Sequence, residues 1–74
     1  MFGGSSLLKN RVKELRARFN LTQGDLAEKT GVTRQTIVSL EKGNYIPSLL
    51  LAMNIAEVFG EPIEQIFYKK EDPK

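Results

Sequence analysis

Thr33, Arg34, Gln35 and Thr36 place two hydroxyls, a forked guanidinium and an amide side by side. They lead a segment with helical periodicity, VTRQTIVSLEKGN. An ordinary surface helix spreads its polar residues along one face; here they crowd the front. These groups donate and accept hydrogen bonds in fixed geometries. That is the chemistry of recognition rather than of bond making. The usual reactive groups are missing. The chain has no His and no Cys, which removes the commonest general base, the commonest metal ligand, disulfides and thiolate sites. Asp25, Glu28 and Glu41 fall in different predicted helices, with no Gly-rich phosphate loop near them. An enzyme, a metal or a cofactor is not expected.

The elements that position this polar front follow from spacing and caps. Leu8, Val12, Leu15 and Phe19 form one helical stripe, so a first helix is predicted over residues 8–18, with Asn20 as its stop. Thr22 caps a second helix, with Asp25 as a capping-box partner and Leu21 and Leu26 placed for a hydrophobic staple. Gly31 closes that helix after residues 23–30. Thr33 caps the third, Ile37 and Leu40 point inward, and Gly43 ends it. Two short helices joined by a tight Gly-containing turn form a helix-turn-helix. Ser48 caps a fourth, mostly apolar helix that turns Ala52, Ile55, Ala56 and Phe59 to the core and ends at Gly60. On its wheel Asn54 and Glu57 lie opposite, and Leu50 is an apolar residue on the wet side. Pro62 opens a last short helix with Ile63, Ile66 and Phe67 on one face. No strand pattern or internal repeat is visible. The fold class is therefore all-α, a compact bundle of five helices.

With 74 residues and 41% hydrophobic content there is room for one folded domain. It is placed at residues 9–68, between a flexible, linker-like start (1–8) and a polar tail (69–74). The net charge of +2 is mild, but its distribution is not. Residues 9–18 hold five cations (Lys9, Arg11, Lys13, Arg16, Arg18) and a single acid, Glu14. Those cations are either a solvated helix face or part of an electrostatic footprint. No run approaches the roughly 20 apolar residues of a membrane span, and no secretory signal is seen. A cytoplasmic location is expected, with no membrane partner.

From about Lys9 to Phe67 the sequence resembles the lambda-repressor-like, Cro/C1-type helix-turn-helix domains of the Xre family. The resemblance is carried by LTQGDLAEKTGVTRQTIVSLEKGNYIPSLLLAMNIAEVFG and IEQIF. It rests on the joint spacing of Thr-Gln, Leu-Ala, Gly-Val, Ile, Leu-Glu-x-Gly, Pro-Ser-Leu and Ile-Ala. It implies a prokaryotic or phage-type regulator, nucleoid-associated, that binds double-stranded DNA as a homodimer, with the third helix in the major groove. The positions matching base-contacting residues are Arg34, Gln35, Val38 and Ser39. Arg can fork to guanine, Gln to adenine, and Val can touch a thymine methyl. The alternative for each is a solvated helix face. Positions matching backbone contacts are Thr22, Gln23, Thr33, Thr36, Lys42, Asn44 and Tyr45; such contacts set register and carry no sequence information. Packing against helix 4 is the alternative for Tyr45. Arg16 and Glu41 match a structural ion pair.

One position departs from the family. Gly24 stands where relatives carry a helix former; it either admits a close phosphate or is drift. Dimer candidates are Leu50, Val58, Ile63 and Phe67, the last two also suited to the core. Repression is the expected mode of regulation. The alternative function is the antitoxin or protein-interaction half of a toxin–antitoxin-type pair. No sensor segment suggests a small-molecule effector.

Overall fold

A computed structural model describes residues 8–69. Five helices follow in order: α1 (Val12–Phe19), α2 (Gln23–Thr30), α3 (Arg34–Lys42), α4 (Leu49–Phe59) and α5 (Ile63–Ile66). Two three-residue strands, β1 (Leu8–Asn10) and β2 (Phe67–Lys69), bracket them. The expected linker-like start and polar tail lie, for residues 1–7 and 70–74, outside the described residues.

Local chemistry explains the helix boundaries. Thr22, Thr33 and Ser48 each sit in extended backbone, and each side-chain oxygen accepts the N–H of the residue three positions on. At Thr22 the box is complete, because Asp25 Oδ2 accepts the Thr22 N–H at 3.0 Å. That backbone hydrogen bond, reinforced by the hydroxyl, holds the Asp25 carboxyl below its usual range. Asn20 and Gly31 end α1 and α2 at φ 59° and 76°, in the left-handed region. Asn tolerates that conformation better than other side-chain-bearing residues do.

Two expectations need correction. The first helix starts at Val12, four residues later than the stripe indicated, and a strand pattern does exist. Leu8–Asn10 pairs antiparallel with Phe67–Lys69 in the register Leu8↔Lys69, Lys9↔Tyr68, Asn10↔Phe67. The physical reason lies at Asn10, whose Oδ1 accepts the Val12 N–H at 3.0 Å and so begins the helix there. The Arg11 N–H continues the ribbon by donating to Ile66 O at 2.9 Å. Leu8 packs against the core even so, which is why the apolar stripe misled.

The core is centred on Val12, Leu15, Leu26, Ile37, Leu40, Ile55 and Ile66, all fully buried. Ala52 and Phe59 join it from α4 as expected, along with Leu51; Ala56 is half-buried. Phe19 stays partly exposed and meets the Phe59 ring edge-on at 5.3 Å. Phe67, a dimer candidate from sequence, is buried in the protomer's own core and is withdrawn from that set. It starts β2, and the ribbon turns its side chain inward. Among the described residues, no helix is long and apolar enough to cross a membrane.

Candidate nucleic-acid interface

The front of α3 carries exposed polar groups on a fixed backbone. Thr33 Oγ1 accepts the Thr36 N–H at 3.2 Å, and the two hydroxyls lie 3.0 Å apart. The first turn is thus locked by its own threonines. Arg34 and Gln35 follow the cap directly and are exposed. One turn on, Val38 stacks behind Arg34 and Ser39 behind Gln35, both half-buried. A guanidinium and an amide that stand out from a rigid helix end can reach into a groove without reorganising the fold.

The rear of α3 is built differently. Arg16 from α1 forks onto Glu41, with Nε to Oε2 at 2.6 Å and Nη2 to Oε1 at 3.1 Å. Only 14% of the Arg16 side chain and 6% of the Glu41 side chain are exposed. Pairing with Glu41 raises the Arg16 guanidinium pKa still further. Arg16 Nη1 also donates to Leu21 O at 2.9 Å, tying in the approach to α2. Asn10 Nδ2 donates to Leu40 O at 3.0 Å, the carbonyl that also accepts the Gly43 N–H at 3.0 Å. Gly43, at φ 84°, then reverses the chain.

The remaining expected contacts divide. Gln23 is the first residue of α2 and half-buried, and its Nε2 donates to Glu41 Oε1 at 3.1 Å. Helix N-termini offer free N–H groups and the positive dipole end to an anion. The Thr22 hydroxyl is engaged in its cap, accepting the Asp25 N–H at 2.9 Å. Lys42, Asn44 and Tyr45 are all exposed just after or at the end of α3. On the outer face of α1, Glu14 bridges Arg11 at 2.8 Å and Arg18 at 3.3 Å. Arg11 also donates to Gln65 O at 2.9 Å. Part of the basic first segment is therefore spent on the fold. Arg11 in turn draws the Glu14 carboxyl below its usual range. The Gln23–Glu41 and Asn10–Leu40 links were not anticipated; they join residues 18 and 30 positions apart, and no local pattern marks them.

Of the dimer candidates, Leu50 is 68% exposed, while Val58 and Ile63 pack partly against the core. Leu50 and Ile63 line an open groove of about 500 Å³ with Met53, Asn54, Ala56, Glu57, Gly60 and Glu61. Ile46 and Leu49 are exposed beside it in sequence.

Comparison with known proteins agrees with this fold. The helix-turn-helix family model matches residues 12–66. An uncharacterised HTH-type transcriptional regulator of Bacillus subtilis, YgzD, is 52% identical over 65 residues, covering 88% of this chain and 98% of that one. Another, from Methanocaldococcus jannaschii, is 57% identical over the same length and shares. Among solved structures, the restriction-modification controller protein C.AhdI of Aeromonas hydrophila superposes with a TM-score of 0.69 at 27% identity. It covers 74% of this chain and 83% of its own. By sequence and fold together, the chain belongs to the Cro/C1-type helix-turn-helix family of DNA-binding transcriptional regulators.

Proposed function

We propose that this chain is a sequence-specific regulator that reads double-stranded DNA with α3 in the major groove. The observation that carries the reading is the exposed Arg34–Gln35 pair on a helix end locked by the Thr33 cap. Arg34 forks to a guanine and Gln35 to an adenine. Val38 and Ser39 line the groove one turn behind, and Thr33 and Thr36 meet phosphate or a base edge. Gln23 donates to a phosphate from the head of α2, and Lys42, Asn44 and Tyr45 hold the backbone on the other side.

The chain acts as a homodimer, joined through the groove around Leu50, with Val58 and Ile63 at its margin. Exposed Leu50, Leu49, Met53 and Ile46 give that face more apolar surface than scattered single residues do. Two-fold symmetry then sets half-sites about 34 Å apart. A bound dimer blocks a promoter by occupancy, which makes repression the simplest mode of control. The same apolar face supports a second reading, in which a different protein such as a toxin occupies it.

Selection of bound duplexes from a random pool tests the proposal. A two-fold symmetric consensus is expected, together with a dimer by light scattering. Failure to enrich any sequence overturns the reading of α3. A monomer that dimerises neither alone nor on DNA favours the second reading.

A further inference from the structure

The Glu41 carboxylate meets three donors at once: Arg16 Nε, Arg16 Nη2 and Gln23 Nε2. A carboxylate accepts and cannot donate. Gln23 therefore turns its amide nitrogen, and never its oxygen, toward Glu41. An untied Gln offers either end of its amide to whatever approaches. We propose that Glu41 is a positioning residue for DNA binding. By holding one hydrogen of Gln23 Nε2, it leaves the second N–H as the group presented to an incoming phosphate. The proposal rests on the reading of Gln23 as a phosphate contact.

Phosphate oxygens also only accept, so a Gln that led with its carbonyl would repel the backbone. Holding the amide in advance removes that wrong state and the freedom of a long side chain before DNA arrives. Arg16 completes the device in two ways. It neutralises Glu41, which alone would set an anion near the phosphate path. Its third nitrogen holds Leu21 O, next to the Thr22 cap, so the head of α2 and the end of α3 are set by one charge pair.

The test is a double-mutant cycle of Q23A and E41Q. Binding is read by fluorescence anisotropy on a mixed-sequence duplex of about 20 base pairs at about 50 mM salt, where phosphate contacts dominate affinity. The amide introduced by E41Q can turn either end toward Gln23, so the orientation is lost. E41Q also removes a negative charge, but it does so in both backgrounds and the effect cancels. The expected coupling is about five- to tenfold in Kd: E41Q harms binding more when Gln23 is present than when it is not. If Q23A weakens binding but E41Q acts equally in both backgrounds, the positioning role is overturned while the phosphate contact stands. If Q23A binds like the parent chain, the phosphate reading itself falls and takes the proposal with it. A second measurement needs no substitution. In the NMR spectrum of the parent chain, the Gln23 side-chain amide should show one proton shifted downfield and a single rotamer. A motionally averaged amide pair at random-coil positions overturns the proposal.

Discussion

The two ends of α3 are built on opposite plans. At its front, Arg34 and Gln35 are exposed, and the order there comes from the backbone and the threonine cap. At its rear, Glu41 is nearly buried and takes three hydrogen bonds, Leu40 offers its carbonyl to Asn10, and Gly43 turns the chain. Side chains at the front carry little of the fold, so under the proposed reading they are the ones free to change with the DNA site. Those at the rear fix the angle at which the front is presented. Each end should therefore have its own signature under mutation: on the proposed reading, stability responds at the rear and DNA discrimination at the front.

The largest effect is expected from Glu41→Ala. It strands the Arg16 guanidinium, whose side chain is only 14% exposed, next to the core. Removing one member of such a pair costs about 3 kcal/mol. A urea titration should show the midpoint falling with the slope unchanged. A loss under about 0.5 kcal/mol, the range of plain surface substitutions, would erase the contrast between the two ends.

Arg34→Ala is the converse. Stability should move by less than about 0.5 kcal/mol, as for any exposed position. Binding to the selected site should weaken by about 1–3 kcal/mol, with discrimination relaxed at one base pair. A comparable loss on all sequences would move Arg34 from base reading to phosphate contact.

Thr33→Ala sits on the boundary between the plans. It removes the capping oxygen, one of two acceptors of the Thr36 N–H (the other is Thr33 O at 3.1 Å), and the partner of the Thr36 hydroxyl. The expected cost is about 1 kcal/mol of stability. Binding to DNA should weaken as well, because the cap sets the backbone from which Arg34 and Gln35 project. A thermal melt and an anisotropy titration on the same preparation separate the two. Weakened melting with intact affinity would show that the front keeps its shape on DNA without the cap.

What could be read in advance follows the range of each interaction. Thr22 with Asp25, Thr33, Ser48, Gly31, Gly43 and Gly60 act within a few residues, and each lies where the helix ends required. The exposure of Arg34 and Gln35 follows from the same local periodicity. The terminal ribbon is another matter. Three-residue strands are too short to show alternation, and Asn10 and Phe67 are 57 positions apart. Burial of Phe67 depends on that pairing, so a helical wheel through Ile63 and Ile66 placed it correctly inward without revealing that it belongs to a strand. The Gln23–Glu41 contact was hidden for a similar reason: either residue alone has an adequate local explanation.

Gly24→Ala has the smallest expected effect and bears on which plan governs the head of α2. Glycine inside a helix costs about 0.5–1 kcal/mol relative to alanine. A Cβ added at Gly24 would find only Thr22 Oγ1 within 4 Å, at 3.8 Å, an ordinary contact. Nothing in the protomer therefore requires glycine there. The variant should be more stable by up to about 1 kcal/mol, with the Thr22 cap intact. If its affinity for DNA is unchanged, the glycine serves neither the fold nor DNA binding. A stabilised variant with weakened binding would instead put the phosphate backbone close against Gly24. The phosphate seat proposed at Gln23 would then extend to the next residue of α2.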